Sequence, residues 1–453
     1  MKYNKGHSIL SAQPGWRNPM RAKIYRFVLL LLLIAAPACS FGASPQPTLP
    51  PTPLPTPEPE KVTITWGFWG DPWEVAINER IIKVFEADYP NIHIETFHRP
   101  YDVYFKEMRA KFAAGEPVPD VLFWSEVPVD VPKGYFMDLS PLMQAENYTL
   151  DDFFPGLLTH YEVNQGVYGL PRDSDTKVIY YNKRLFNQAG LPYPQNDWTW
   201  QDLRQTSLKL KEAKVAPYSF AFEVNSWWML WMWQNGIQIF DDTLFPTQTD
   251  LDKPAAAEAV QFFADLINVD QVTPPYNMLL GSENIASLFK EGQLAMAFGN
   301  HALIPAFAEV KDLEWDVVGL PQNVRRANVA AGAGYVIAAN TDNPEAAWTF
   351  LKFLSSFKVQ AIFAEAGVAV PALRSVAQSE VFMEQQPRHN AQVFLDEAEI
   401  GEPTPAFPGS SDIIELVNGA LTPVWQGQQD AASAISQVLP QVKDILAKVQ
   451  VKR

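Results

Sequence analysis

Cysteine is almost absent from this chain of 453 residues, because Cys39 is its single example. An intrachain disulfide and a metal cluster built on cysteine thiolates are therefore excluded. Histidine is scarce too, and the histidines beyond the first 38 residues are scattered: His93, His98, His160, His301 and His389. We interpret each as a surface or structural histidine rather than a metal ligand, and we expect neither a bound metal nor a cofactor.

Catalytic motifs with a fixed spacing are also missing. The sequence contains no GxSxG, no HExxH, no P-loop and no EF-hand spacing. The stretch from Gly332 to Gly334 lacks the third glycine of a dinucleotide fingerprint, so we interpret it as a strand that passes close to a ligand. The pairs Asp151-Asp152 and Asp241-Asp242 are typical of a helix cap and a turn, whereas glycosidase carboxylates must converge across a sugar ring. We therefore predict a protein that is not an enzyme.

Positive charge is in short supply, with 35 lysines and arginines against 51 aspartates and glutamates. Six of the basic residues lie within residues 1–38, which hold no acidic residue, so the rest of the chain carries 29 basic and 51 acidic groups, a net charge of −22. A field of this sign repels nucleic acid, which we exclude as a partner. It suits a soluble extracytoplasmic protein.

Long apolar runs are missing, because the run from Phe27 to Ala36 has only ten residues. That length is too short to span a bilayer and fits the apolar core of a signal peptide. The small residues before Cys39 resemble a bacterial lipobox, although Ala36 and Pro37 depart from the usual pattern. We predict a signal peptide of the lipoprotein type over residues 1–38 and a lipid anchor on Cys39. Met20 begins a more ordinary signal, so we expect it to be the true start of translation. Cleavage nearby that leaves a free thiol is the alternative.

Proline fills eight of the eighteen positions in residues 43–60, which contain no aromatic residue. Such a segment cannot form a core, and we predict an extended, semi-rigid tether over residues 39–60. At roughly 3 Å per residue, polyproline geometry would give residues 43–60 a reach of about 50 Å. A disordered tail without function predicts the same local structure.

The chain beyond the tether alternates between strand and helix patterns. Strands are predicted at 62–66, 92–97 and 121–124, with helices between them. This order indicates an α/β fold with a mainly parallel sheet, and ligands of such sheets bind beyond the carboxyl ends of the strands. The residues at those ends are Phe68, Trp69, Trp124, Ser125 and Glu126.

One longer stretch, from Val167 to Trp200, carries a specific resemblance. It contains an extended segment, a polar break, a second strand and the start of a helix. Its ordered residues are Tyr168-Gly169-Leu170-Pro171, Tyr180-Tyr181-Asn182-Lys183, Phe186, Ala189-Gly190-Leu191 and Trp198-Thr199-Trp200. This pattern resembles the hinge signature of the extracellular solute-binding proteins of sugar ABC importers, the maltose-binding-protein-like group. Pattern alone would favour an ordinary surface turn at the polar break.

The resemblance covers nearly the whole mature chain and implies two interleaved α/β lobes joined by crossing hinge strands, the class II periplasmic binding protein fold. It implies a first lobe over residues 61–173 and 329–370, and a second over residues 176–328 and 371–453. It also implies a monomer on the outer face of the cell membrane that docks on the permease subunits of an ABC transporter.

Ligand-binding residues are predicted from strand ends and from positions that match site loops of the family. The resemblance points to Trp124, Glu126, Asp173, Asp175, Asn225, His301 and Phe407. The fourteen tryptophans add the flat walls that sugar sites need, and the best candidates are Trp69 and Trp124. For Trp227 and Trp228 a ligand wall and core packing are about equally favoured. Core packing is the alternative for Trp69 and Trp124 and is favoured for Trp231 and Trp233. Arg172 is expected to pair either with the nearby acids or with the ligand.

The resulting hypothesis is the capture of a mono- or oligosaccharide by closure of two lobes. A binding protein for a polyamine or ferric iron and a secreted carbohydrate-active enzyme are the alternatives. A polyamine site would be rich in carboxylates, and an iron site would need paired tyrosines such as Tyr180 and Tyr181. Adjacent strand residues point to opposite faces, which disfavours that pair as metal ligands.

Overall fold

The computed structural model describes residues 61–225, 227–367, 369–385 and 389–450. The chain divides into two units, and all these residues belong to the unit Pro59–Arg453. The predicted signal peptide, Cys39 and the proline-rich tether lie outside the described residues, so those calls stay predictions. Among the helices that are described, none combines the length and the apolar character needed to cross a membrane.

The described residues form fifteen strands, most of them short. They are β1 (Val62–Trp69), β2 (Ile92–Arg99), β3 (Val121–Trp124), β4 (Glu162–Val163), β5 (Gly166–Val167), β6 (Leu170–Pro171), β7 (Asp173–Ser174), β8 (Lys177–Asn182), β9 (Tyr218–Ala221), β10 (Leu294–Asn300), β11 (Trp315–Val318), β12 (Asn328–Ala330), β13 (Gly334–Ile337), β14 (Val370–Pro371) and β15 (Gly401–Pro403).

Eighteen α-helices accompany them, together with three 3₁₀ turns at Val131–Lys133, Tyr276–Met278 and His301–Leu303. The helices are α1 (Pro72–Asp88), α2 (Tyr101–Ala114), α3 (Val127–Asp130), α4 (Ser140–Glu146), α5 (Pro155–Leu158), α6 (Lys183–Ala189), α7 (Trp200–Ala213), α8 (Trp228–Gln234), α9 (Pro254–Asn268), α10 (Ser282–Lys290), α11 (Ile304–Ala308), α12 (Pro344–Leu354), α13 (Phe357–Glu365), α14 (Arg374–Ala377), α15 (Glu380–Met383), α16 (Gln392–Ala398), α17 (Ser410–Trp425) and α18 (Ala431–Gln450).

Two sheets organise these elements into two bodies. The first sheet has the order β2-β1-β3-β13-β6, and the second has the order β11-β8-β10-β9. We call the body around the first sheet lobe 1 and the body around the second sheet lobe 2. Because β13 returns to lobe 1 from far along the chain, the lobes are interleaved in sequence. The exact lobe boundaries given above stay a prediction.

The predicted α/β order is seen in lobe 1. Strand β1 pairs in parallel with both β2 and β3, whereas β13 pairs antiparallel with β3. In β1 the side chains of Ile64, Trp66 and Phe68 face one side and are buried. Trp66 packs there against Phe350 of α12. Trp69 faces the other side, towards α2.

Helix ends near the hinge follow local sequence signals more closely than the start of the first helix does. Thr199, three residues before Asp202, forms a capping box with it, and Gly190 ends α6 in the left-handed conformation. Asp71 precedes Pro72 at the start of α1, a typical cap position, but its side chain forms no hydrogen bond to the helix. Glu74 of the first turn binds Arg172.

Candidate functional site

The chain crosses between the lobes through strands that contact one another closely. Strand β7 pairs with β14, and the backbone N–H of Asp175 donates to the carbonyl of Ala331 at 2.7 Å. The carboxylate of Asp173 accepts the backbone N–H of Ala333 at 3.1 Å. A Cβ atom on Gly332 would lie only 2.2 Å from the carbonyl oxygen of Asp173. Glycine is therefore required at position 332 by the close approach of two backbones.

Arg172 pairs with acids of the protein. Its guanidinium donates to Asp173 at 2.5 Å and to Glu74 at 2.6 Å. It is also stacked between two rings, 4.0 Å from the centroid of Phe123 and 4.9 Å from that of Phe363. Both carboxylates are thereby ion-paired with one guanidinium, and the hinge is fixed to the core of lobe 1.

A second polar group lies where the hinge enters lobe 2, and we call it the hinge set: Asp175, Lys177, Glu223, Trp227 and Asn300. The carboxylate of Asp175 accepts from Lys177 at 2.8 Å and from the Asn300 amide at 2.5 Å. The ammonium of Lys177 lies 4.0 Å from the centroid of the Trp227 ring. Burial raises the pKa of Glu223, Asp175 raises it further, and Lys177 opposes both effects.

A third group lies at the cleft edge of lobe 1. Glu126 forms a short ion pair with Arg109, and the same guanidinium donates to Asp130 at 2.7 Å. Asp130 is fully buried and also accepts from Lys133 at 2.7 Å and from the Trp124 indole at 3.1 Å. A buried carboxylate with this many donors fixes Arg109, and Arg109 in turn fixes Glu126.

Seven of the thirteen predicted ligand-binding residues keep partly exposed surface: Trp69, Ser125, Glu126, Asp175, Asn225, Trp227 and Gly332. The structure brings Asp175 and Trp227 together through Lys177, and it places Trp69 and Glu126 on lobe 1. These positions remain proposals as ligand contacts. The other six residues are buried: Phe68, Trp124, Asp173, Trp228, His301 and Phe407.

These six side chains contact other residues of the protein, and as ligand contacts they stay predictions. Phe68 packs on Trp66, and Phe407 packs on Phe240. The Trp124 indole is turned to Asp130, and the Trp228 indole donates to Asn418 at 2.8 Å. His301 binds Gln385 at 2.9 Å, and Asp173 binds Arg172 and the Ala333 amide.

Two cavities open along the hinge and between the lobes. The smaller, of about 180 Å³, is lined by Asp173, Asp175, Asn300 and His301 among others. The larger, of about 740 Å³, is lined from lobe 1 by Val129, Pro132, Lys133 and Asn164, and from lobe 2 by Phe245, Pro408 and Val449. Val129 lies one helical turn after Glu126, so the larger cavity adjoins the cleft edge of lobe 1.

The sequence reasoning missed the positively charged partners of the site, Arg109 and Lys177, and the amide of Asn300. Lys177 and Asn300 are direct partners in the antiparallel pairing of β8 with β10, a register that the sequence pattern does not give. Arg109 reaches Glu126 from α2, and nothing in the sequence pattern indicated that contact. Within the described part of the chain, no group of histidine, aspartate and glutamate side chains is arranged to hold a metal ion.

The tyrosine pair considered for iron does not converge on one point. Tyr180 is buried and its hydroxyl donates to the carbonyl of Asn300 at 2.7 Å. Tyr181 lies on the opposite face of β8, where its ring packs on Phe186 and Tyr193.

Comparison with known proteins adds independent evidence. The galactooligosaccharide-binding protein of Bacillus subtilis (strain 168) is 23% identical over 374 residues, which cover 80% of this chain and 85% of that protein. The fold matches the ABC substrate-binding protein of Listeria monocytogenes in complex with cycloalternan, with a TM-score of 0.73, 22% identity and coverage of 86% and 100%. It also matches the sugar-binding protein MalE of Xanthomonas citri, with a TM-score of 0.75, 21% identity and coverage of 86% and 98%.

The family profile described as "Bacterial extracellular solute-binding protein" matches residues 70–361, which is more than half of the chain. The matched residues include the hinge stretch from Val167 to Trp200 and the strands β3 and β13 of lobe 1. They also include the hinge set and the ion pair of Glu126 with Arg109. The chain therefore belongs to the bacterial extracellular solute-binding protein family.

Proposed function

We propose that this protein captures a carbohydrate between its two lobes for import by an ABC transporter, and that it does so without catalysis or a cofactor. The observation that carries the proposal is the hinge set, in which the Lys177 ammonium lies 4.0 Å from the Trp227 ring centroid and binds Asp175, which also accepts from the Asn300 amide. An aromatic face next to fixed hydrogen-bonding groups is what a sugar ring requires. Relatives named for sugar binding support the same conclusion.

The proposed mechanism is capture by closure. Ligand that contacts both the hinge set and the cleft edge of lobe 1 stabilises the closed form through its differential affinity for that form. The crossing strands near Gly332 act as the hinge, and the bodies of the two lobes move as units. The closed form then docks on the permease subunits as a monomer, on the outer side of the cell membrane.

A sugar fits the charges of this cleft better than a polyamine does. Four carboxylates near the cleft are each paired with a cation of the protein: Glu74 and Asp173 with Arg172, Asp175 with Lys177, and Glu126 with Arg109. A polycation would have to compete with these pairs. A neutral polyol can use the remaining acceptor capacity of the same oxygens.

A thermal-shift screen of the protein tests the proposal. We expect stabilisation by at least one mono- or oligosaccharide and no comparable effect of spermidine or ferric citrate. A ligand present at 100 times its dissociation constant adds about 2.7 kcal/mol to the free energy of unfolding. Stabilisation by spermidine or iron but by no sugar would contradict the sugar assignment.

A variant at the hinge set sharpens the screen. Asp175→Asn keeps the shape of the side chain but removes the charge that Lys177 binds, so we expect the sugar affinity to fall by about tenfold or more. The matched control is Asp88→Asn, because Asp88 pairs with Lys358 on the exposed surface. Equal sugar affinity in both variants would remove Asp175 from the site.

Lipid anchoring is a separate part of the proposal and needs its own test. If Cys39 carries the anchor, metabolic labelling with a fatty acid should mark the protein, and Cys39→Ser should abolish the label and release the protein from the membrane fraction. If neither the unchanged protein nor the Cys39→Ser variant is labelled, ordinary signal cleavage is favoured.

A further inference from the structure

A buried polar cluster adjoins the hinge set and has no role in the site described so far. Asn328, the first residue of β12, and Glu397 of α16 are both almost completely buried. A buried amide and a buried carboxylate cost free energy unless their polar atoms have partners. The partners of this cluster therefore show what it holds in place.

The side chain of Asn328 binds both backbone groups of Lys177. Its Oδ1 accepts the Lys177 N–H at 3.0 Å, and its Nδ2 donates to the Lys177 carbonyl at 2.7 Å. Strand β11 pairs with β8 only as far as Ile179, which lies opposite Val318, so β11 ends before it reaches Lys177. The Asn328 amide thus supplies the hydrogen bonds that a longer neighbouring strand would have made.

Glu397 holds the Asn328 amide in this orientation. The second N–H of Nδ2 donates to Glu397 at 2.6 Å, and Oδ1 also accepts the backbone N–H of Val329 at 2.8 Å. Both donors and both lone pairs of the amide are therefore in use. A flipped amide would turn its oxygen towards the carboxylate, which is unfavourable. Arg326 donates to the other oxygen of Glu397 at 2.6 Å and balances its charge.

The backbone of Lys177 decides where its ammonium lies. In a strand, each side chain leaves roughly perpendicular to the sheet, on a face that the backbone sets. The side chain of Lys177 is only 4% exposed, and its ammonium binds Asp175 at 2.8 Å and lies 4.0 Å from the centroid of the Trp227 ring. A shift of the Lys177 backbone would therefore move the ammonium relative to both partners.

We infer that Asn328 and Glu397 are positioning residues of the proposed sugar site. Asn328 fixes the backbone of Lys177, and Glu397 fixes the Asn328 amide. Lys177 in turn binds Asp175 and contacts the Trp227 ring. The inference rests on the proposed function, because it adds to that site two residues that act through Lys177 and not on the ligand. A cluster that only supports the fold is the alternative, and the two roles differ in their effect on Lys177.

Acetylation of Lys177 tests the first step without any ligand. The unchanged protein and Asn328→Asp are treated with acetic anhydride, and modification of Lys177 is followed by mass spectrometry. Aspartate has the shape of asparagine but cannot donate to the Lys177 carbonyl, so we expect Lys177 to react about tenfold faster in the variant. Hydrogen exchange in β10, which neighbours β8 in the sheet, should stay the same.

The double variant Asn328→Asp/Glu397→Gln separates the two roles. Its glutamine amide can donate to the carboxylate at position 328, which restores a hydrogen bond inside the cluster but leaves the Lys177 carbonyl without a donor. We therefore expect thermal stability to recover relative to Asn328→Asp, whereas Lys177 stays as reactive as in the single variant.

Sugar affinity tests the second step. Calorimetric titration with glucose, galactose, mannose, xylose and their di- and trisaccharides identifies a sugar that binds the unchanged protein. Asn328→Asp should bind that sugar about tenfold less tightly.

Asn182→Asp is the matched control. Asn182 is a buried asparagine in the same strand as Lys177, and its side chain caps α6, which aspartate also does well. This variant should keep Lys177 protected from acetylation and should bind the sugar within about twofold of the unchanged protein.

Three results would overturn the inference while leaving the proposed function intact. The first is a Lys177 that stays protected in Asn328→Asp. The second is a common change, in which acetylation and β10 exchange rise together in Asn328→Asp, or Lys177 protection recovers with stability in the double variant. The third is a sugar affinity that Asn328→Asp leaves unchanged. Absence of heat with every sugar would instead count against the proposed function, and acetylation would still decide whether Asn328 positions Lys177.

Discussion

Tryptophan has opposite roles in the two lobes. In lobe 2, Trp228, Trp231 and Trp233 on α8 are all buried, and Trp231 stacks on Phe263 with centroids 4.0 Å apart. In lobe 1, Trp69 is only partly buried and stacks on Phe123 at nearly the same distance, 4.1 Å. The stacking geometry is similar, but one ring completes an apolar core and the other keeps surface towards the cleft.

The difference follows from what surrounds each ring. All seven residues of α8 are buried, so each indole contributes mainly through buried area. The aromatic group of lobe 1 lies beside the charged network of Asp130, Arg109 and Glu126. Aromatic rings beside fixed charges are characteristic of a recognition surface. A dense apolar cluster is characteristic of a core. The tryptophan cluster of α8 belongs to the core, although it is the more conspicuous of the two aromatic groups in the sequence.

The largest expected effect is the loss of unfolding free energy on removing a core tryptophan of lobe 2. Trp231→Ala should reduce the free energy of unfolding by about 3–5 kcal/mol, because it leaves a large cavity beside Phe263. Trp69→Ala should reduce it by only about 1–2 kcal/mol, because part of the ring is already in contact with solvent. Urea unfolding at pH 7 measures both variants. Equal losses would mean that the two tryptophans have the same structural role.

A smaller effect is expected from the charged network of lobe 1. Asp130→Asn removes the charge that binds Arg109 and Lys133, and it should cost about 2–3 kcal/mol of unfolding free energy. This is less than for a fully buried pair, because Arg109 is partly exposed. Sugar affinity should fall as well, since Glu126 loses its fixed partner. Asp88→Asn is the surface control and should change the unfolding free energy by less than about 1 kcal/mol.

The smallest effect is a pH dependence in the hinge set. Burial raises the pKa of Glu223 above its ordinary value of 4.5, so the native state binds this proton more readily than the unfolded state does. The stability that Glu223 contributes is therefore fully present below pH 4.5 and is lost as the pH rises through its native pKa.

Glu223→Gln removes this titration. The unfolding free energy of the variant, relative to the unchanged protein, should therefore increase as the pH rises from about 4 to about 7. Urea unfolding of both proteins across this range measures the difference. A difference that stays constant with pH would show that Glu223 titrates as it does in the unfolded chain.

The fold class was predictable from the sequence, whereas the surroundings of the candidate site residues were not. The alternation of strand and helix patterns and the hinge stretch from Val167 to Trp200 were sufficient for the fold, because they depend on local signals that the structure keeps. The cap at Thr199 and the helix end at Gly190 are examples.

The site depends on which way a side chain turns, and a one-dimensional pattern does not contain that information. Trp124 stands at a strand end as predicted, yet its indole is drawn inward by Asp130, six residues later. Tyr101 begins a helix and was not selected, although the structure leaves it 60% exposed beside Trp69. Lys177 could be placed on a strand, but its contact with Trp227 joins residues fifty positions apart.

The contact between Lys177 and Trp227 has an optical consequence. An ammonium group 4.0 Å from an indole centroid perturbs the excited state of that ring, whereas other described indoles, such as those of Trp231, Trp348 and Trp425, are buried. A ligand that displaces Lys177 would change the fluorescence of Trp227, while the emission of the buried tryptophans would stay the same. If the ligand binds at the hinge set as proposed, Trp227 fluorescence would report that binding without an attached dye.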